Sequence, residues 1–324
     1  MTHRERAVCA LTGGVPDRVP TFELEFQLAE EMFGKPMYPR ELMPDRIGLL
    51  PAAERERKIY DMAAYTAFVY GQLDYSIYPL LPLGDFSRPC SQYGLPPEFL
   101  QYVRFLREIT EGKVLFAFHG DGTFAIPDGD KMYDFAYRTV DDPEGLHEEA
   151  EAMAKEAMAR NRLMSEAGVE VMMLCSDYCY NSGPFLSPDM FREFIQPYLA
   201  RIIRAGRENG QYLIKHTDGN IMPIIDQLVE CEPHALHALD PMAGVDIREV
   251  KRLYGDRVCL CGNVHCAAMQ TGTEEEVRQS AEYCLTYAKP GGGYIFCTSN
   301  VPFKGMPPER YQLVLDVWKA MRDY

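Results

Sequence analysis

Residues 211–220 carry an apolar run, Tyr212-Leu213-Ile214, that breaks into Lys215, His216, Thr217, Asp218 and Gly219. A buried parallel strand delivers side chains to a cleft in this way, at its C-terminal end. A buried strand followed by an ordinary Asp-Gly turn would read the same. Other stretches repeat the pattern, however. VEVMMLC runs into Ser176-Asp177-Tyr178, KVLFAFH into Gly120-Asp121-Gly122, and the run at 258–261 into Gly262-Asn263. Collected, the strand ends hold Glu23, Glu25, Tyr78, His119, Asp121, Asp177, His216, Asp218, Asp240, Cys261, Asn263, Cys297 and Ser299.

That set mixes imidazoles, carboxylates and two thiols, with no nucleophile elbow pairing Ser with His. Zinc takes His, Cys and carboxylate ligands, and a catalytic zinc keeps one position open for substrate. Cys261 and Cys297 fall on neighbouring expected strands and could reach one ion, with His216 or Asp240 as third ligand. No CxxC spacing is present, and buried, unreactive thiols are the commoner fate of Cys.

The elements that position these residues follow from pattern. In residues 19–26, Phe22, Leu24 and Phe26 alternate with Thr21, Glu23 and Glu25, a period of two that predicts a first strand. Further strands are expected at 74–78, 113–119, 169–175, 211–216, 234–239, 258–261 and 292–296, each followed by a helical or irregular stretch. Ser187-Pro188-Asp189 is a helix start, with a capping Ser, Pro at the first helical position and an acid in the first turn. Pro197 should bend the helix that follows, and residues 79–95, rich in Pro and Gly, read as a long loop or lid. Eight strand–helix units most simply close into a (β/α)8 TIM barrel. An open doubly wound sheet would want a GxGxxG fingerprint after an early strand, and none is seen. The expectation is a single domain over residues 1–324.

Composition narrows the class. The chain has 324 residues, 47% hydrophobic, enough for one large core. Its net charge of −15 argues against nucleic acid and suits a partner with a basic face. No apolar run reaches the roughly 18 residues that would suggest a membrane span. The first residues lack a signal-peptide core, so the cytoplasm is the expected compartment. Ten scattered Cys fit free thiols or metal ligands better than a disulfide framework.

The ordered stretches SDYCYNSGPFLSPDMFREFIQPYLARI, IKHTDGN, CLCGNV and GGGYIFCTSNVPFKGMPPE resemble the uroporphyrinogen decarboxylase superfamily. That superfamily includes the decarboxylase and the related cobalamin-dependent methyltransferases, and its fold is a distorted (β/α)8 barrel. The decarboxylase grips porphyrinogen carboxylates with an Arg-rich loop after the first strand. Here that place reads ELEFQLAEEMFGK, with acids and no Arg, and would repel a polyanion. The decarboxylase also has a catalytic Asp after its second strand, where this chain reads SIYPLLPLGDF. The coenzyme M methyltransferases hold zinc with a His-x-Cys pair and a later Cys. His216 matches the first, Asp218 replaces the second, and Cys297 lies near the third, although alignment on Pro302 would put Ser299 there.

The resemblance therefore implies a methyltransferase that moves a methyl group from an O-methyl or N-methyl substrate to the Co(I) corrinoid of a partner protein. Zinc, or an acid such as Asp177 or Glu25, would assist the leaving group, with His216 as ligand or acid. The expected metal set is His216, Asp240, Cys261 and Cys297. Glu23, Tyr78, His119, Tyr178 and Asn263 are the expected substrate contacts. The chain has no DxHxxG loop of its own, so the corrinoid would arrive with its protein, and a homodimer is compatible with the sequence. The competing readings are a decarboxylase or lyase of a small or tetrapyrrole acid, and a non-catalytic corrinoid- or tetrapyrrole-binding protein.

Overall fold

The computed structural model describes residues 1–324. Its centre is a curled parallel sheet of seven strands: β1 (Ile77–Pro79), β2 (Leu115–His119), β3 (Val171–Leu174), β6 (Tyr212–His216), β7 (Ala235–His237), β8 (Cys259–Cys261) and β9 (Tyr294–Ile295), paired in that order. A separate hairpin, β4 (Cys179–Tyr180) with β5 (Gly183–Pro184), projects after β3. The register is continuous across the sheet. Ala117 pairs with Val171, Val171 with Tyr212, Ile214 with Ala235, and Ala235 with Cys259.

These strands read as near-continuous apolar runs because both faces are covered. Alternate residues enter two layers. Ile77, Leu115, Val171, Ile214, Ala235, Cys259 and Ile295 form an inner cluster, which Ala7, Ala10 and Leu11 of the helix His3–Leu11 join. Tyr78, Phe116, Met172, Leu213, Leu236 and Tyr294 face the outer helices in a larger cluster.

The expected caps are in place. Ser187 accepts from the Met190 N–H, while Thr2 with Glu5 and Thr273 with Glu276 form capping boxes. The helix after Ser187 is interrupted at Ile195 into Pro188–Phe194 and Gln196–Glu208, with Pro197 opening the second piece. The 79–95 stretch carries one short helix, Cys90–Tyr93. No helix is long and apolar enough to cross a membrane.

Residues 19–26 depart from the eight-strand expectation. Thr21 makes one isolated parallel bridge with Phe296, the Phe296 N–H donates to Pro20 O at 2.9 Å, and the Ser76 N–H donates to Thr21 O at 2.8 Å. The segment touches both edges of the sheet but forms no strand. Pro20 has no N–H to give a ladder, and Glu23 beyond it bonds to Thr298 and Tyr311, far along the chain.

Candidate active site

The C-terminal end of β6 carries the centre of the site. His216 shares strand parity with Ile214 and points inward, where it is 4% exposed. Its Nε2 lies 3.7 Å from Asp177 Oδ1 and 3.7 Å from Asp218 Oδ1. One ligand atom from each of the three residues lies within 4.8 Å of the others, a spacing that one cation can span. The other ring nitrogen, Nδ1, is 2.9 Å from His237 Nδ1. Two neutral imidazoles can share that contact with one donating and one accepting. Burial, then the charges of Lys215 and His119, push the His216 pKa down to about 3, and burial holds His237 well below the usual imidazole range. A proton on His216 Nδ1 leaves Nε2 as a lone pair aimed at the two carboxylates. The second nitrogen of a metal-binding His is usually tied down in this way.

The carboxylates crowd one another. Asp218 is pushed up to about 7 by burial first and then by Asp177 and Asp240. Its Oδ2 accepts from Asn300 Nδ2 at 2.5 Å, and its backbone N–H donates to Asp177 Oδ1 at 2.9 Å. Gly219 permits the turn that follows. Its φ is +82°, and a Cβ there would sit 2.4 Å from Cys179 O and 2.7 Å from Tyr180 O.

Behind this cluster lies a buried ion pair. Lys215 Nζ donates to Asp121 Oδ2 at 2.8 Å and to Ser176 O at 2.9 Å, and it sits 4.0 Å from the centre of the Tyr178 ring. Asp121 also accepts from the Ser176 N–H and from Thr123, whose hydroxyl meets Tyr178 Oη. The Tyr178 N–H donates to Thr217 Oγ1. The loops after β2, β3 and β6 are thereby locked together, and Asp177 is delivered to His216.

The expected residues separate into two groups. His216 and Asp177 meet. Asp240 stands beside them, its carboxylate accepting from the Met242 and Gly219 N–H groups as a turn cap. Glu25 and His119 face each other at 3.8 Å and line a small cavity of about 180 Å³ with Tyr70 and Phe118. The rest lie elsewhere. Cys261 and Cys297 are fully buried in the inner apolar cluster, with burial pushing both thiols up, and neither joins the His216 group. Cys261 shares His216's inward register through His237, but the apolar residues of the inner cluster enclose both thiols. Glu23 is buried under Thr298 and Tyr311, and Tyr78 packs edge-on against Tyr70. Tyr178 braces the ion pair, while Asn263 holds Leu239 O beside a cavity of about 670 Å³. Two further residues of the site, His237 and Asn300, carry little signal in the sequence. His237 announced itself only as an imidazole at an inward position of an apolar strand, and Asn300 only as the last polar residue of a strand end.

Comparison with known proteins follows the same outline. The uroporphyrinogen decarboxylase (URO-D) family profile matches residues 128–321. A uroporphyrinogen decarboxylase of Thioalkalivibrio sulfidiphilus is 28% identical over 232 residues, 66% of this chain and 62% of that one. A methylcobamide:CoM methyltransferase of Methanosarcina barkeri is 26% identical over 142 residues, 43% of this chain and 40% of that one. The chain thus spans 62% and 40% of these two relatives' own lengths, in each case less than two thirds. A solved methyltransferase from Methanosarcina mazei superposes with a TM-score of 0.70 at 17% identity, covering 99% of both chains, which shows the shared fold.

Proposed function

The chain belongs to the uroporphyrinogen decarboxylase family, whose profile matches well over half of it, and from that premise we propose that it is a methyltransferase. It would move a methyl group from a small O-methyl or N-methyl compound to the Co(I) corrinoid of a partner protein. One observation carries this reading: His216 Nε2 faces Asp177 and Asp218 at 3.7 Å each, on the inner rim of the sheet. The arrangement suits stabilisation of a departing heteroatom. The acids of the 23–31 stretch disfavour the polyanionic porphyrinogen alternative. The relative named methylcobamide:CoM methyltransferase points the same way.

The donor set fits a metal ion. One imidazole and two carboxylates suit zinc or a harder divalent ion, and the thiols first expected as ligands are not needed. Asp177, His216 and Asp218 would hold it, and when bound it would polarise the leaving oxygen or nitrogen. The chain's own residues do the rest. His237 fixes the His216 ring, the Lys215–Asp121 pair fixes the loop that bears Asp177, and Asn300 orients Asp218. Without a cation, a proton on Asp218 relieves the crowding and can pass to the leaving heteroatom. In this reading residues 1–324 act as one domain, and the Thr21 segment serves as the eighth stave of the barrel.

Elemental analysis and a methyl-transfer assay with Co(I) cobalamin test the reading. Wild type should carry about one metal per chain, on the one-cation geometry of the three ligands. His216→Ala should lose both metal and turnover, and Cys297→Ser should keep both. Full turnover by His216→Ala would remove the site. Decarboxylation of a small acid is the second reading, favoured by the relatives named uroporphyrinogen decarboxylase. It predicts CO2 release without any corrinoid.

A further inference from the structure

Arg160, on the helix Pro143–Ala167, is a half-buried cation that makes no salt bridge. One guanidinium nitrogen, Nη2, donates to Asp121 O at 2.8 Å. Its Nε is sealed from solvent and has no partner. No carboxylate lies within ion-pairing distance, whereas most of the other arginines with restricted side chains have one. Burial lowers its pKa from the ordinary arginine value, against the opposing pull of Glu156 and Asp121. A buried charge is costly until it is paired.

The guanidinium borders a cavity of about 360 Å³ that opens beside the site. Phe86 and Phe118 wall it, their ring centroids 5.3 Å apart, and Arg88 stands exposed at its mouth, stacked 3.4 Å over Tyr93. The acid of this cavity, Glu156, is engaged elsewhere: its carboxylate accepts from Ser91 N at 3.3 Å and from the Ser91 hydroxyl. His119, the last residue of β2 and register partner of Met173 on the strand that leads to Asp177, lines both this cavity and the smaller one beneath Glu25. The two cavities therefore meet at His119, next to the candidate active site. A volume of this size suits a small ligand with an apolar body.

We propose that this cavity is the subsite for a carboxylate on the substrate, with Arg160 as its anchor, Arg88 as the gate cation and the Phe86–Phe118 pair as the wall for a ring-sized apolar body. The acid-lined 23–31 stretch offers no cation to such a group, and Arg160 does. A guanidinium meets a planar carboxylate with two parallel N–H donors, which a neutral isostere cannot accept in the same way. The substrate class is then a small methylated carboxylic acid. Here the inference rests on the methyl-transfer reading for the word methylated only.

Calorimetric titration of the full chain with benzoate and with benzamide tests it, because binding requires neither metal nor corrinoid. Wild type should prefer benzoate. Arg160→Met should weaken benzoate by about tenfold or more, the scale of a charge-assisted hydrogen bond, and leave benzamide nearly unchanged. Arg160→Lys should recover part of the preference. Arg88→Gln, at an exposed position that does not threaten folding, should weaken benzoate by a smaller factor. Equal loss of both probes in Arg160→Met would mean that the residue only braces Asp121 O, and the proposal would fall. It would also fall if wild type bound benzoate no better than benzamide. Selective benzoate binding without any methyl transfer would retain the subsite and remove the proposed function. Transfer from neutral ethers as fast as from their carboxylated analogues would do the reverse.

Discussion

His216 works through its neighbours. Its Nδ1 contact with His237 holds the ring in place, and that contact is 2.9 Å long and sealed from water. Replacing His237 with Leu keeps the strand apolar but leaves the His216 ring without its hydrogen-bonded partner. If a metal is held there, its dissociation constant should rise by roughly 10–100-fold, the usual cost of losing such an outer partner. A chelator competition titration would read this, and an unchanged constant would show that His237 is only packing. The pair Lys215–Asp121 makes a second demand at the same scale. Lys215→Met strips the cation from a buried carboxylate and should cost about 3–5 kcal/mol in urea unfolding. Adding Asp121→Asn to Lys215→Met should return much of that loss, because the uncompensated charge goes with it. A double variant no more stable than Lys215→Met alone would show that the hydrogen bonds of Asp121 to Ser176 and Thr123, not its charge, set the cost.

At the scale of elements, the strand ends of β2, β3 and β6 are one unit, and the hairpin β4–β5 leans on it through Gly219. A side chain at 219 meets two carbonyl oxygens of that hairpin and a positive φ at once. Gly219→Ala should therefore destabilise the chain by more than about 1 kcal/mol. It should also depress activity more than stability predicts, because Asp218 precedes it and Asp177 binds the Asp218 N–H. Thermal melts beside turnover numbers would separate the two effects. This unit was largely legible in the sequence. Apolar runs that end in His, Asp and Gly announce buried parallel strands, and the runs ending at His119, His216 and Cys261 all became strands of the sheet. Side-chain direction was legible only in part. Period two cannot say how deep in the ring an inward side chain ends, so Cys261 and Cys297 read as ligands although the inner apolar cluster encloses them. The same ambiguity hid His237, whose polar ring sits among residues that are apolar on both faces. In residues 19–26 the alternation was real, but Pro20 and hydrogen-bonding partners far along the chain overrode it. Such contacts, at sequence separations near 280 residues, leave no local trace.

Across the whole molecule, Glu23 ties the beginning of the chain to its end. Its carboxyl accepts from Thr298 N and Oγ1 and from Tyr311 Oη, which in turn meets Tyr75 Oη at 2.5 Å. These partners lie on the loop after β9 and on the closing helix Pro308–Met321, so the carboxyl bridges the gap where residues 19–26 meet the sheet edge. Burial pushes its pKa up to about 8, against 4.5 for the free side chain, even though the donors pull it down. Between those two values the folded chain keeps a proton that the unfolded chain has already released. The folded state therefore binds more protons, and its stability falls as pH rises. Below about pH 4.5 the full contribution is present, and it is lost as pH climbs through about 8. Glu23→Gln preserves the side chain's size and stays neutral at every pH. The stability difference, wild type minus variant, should decline steadily from pH 5 to pH 8 and level off above it. At roughly 1.4 kcal/mol per pKa unit, the decline should amount to several kcal/mol. Urea unfolding at a series of pH values, read as that difference, isolates Glu23 from every other titrating group. A flat difference across the range would mean that three donors hold the carboxylate ionised throughout. The closure of the molecule would then depend on a buried anion, and Tyr311→Phe, which removes one donor, should be the more damaging change at neutral pH.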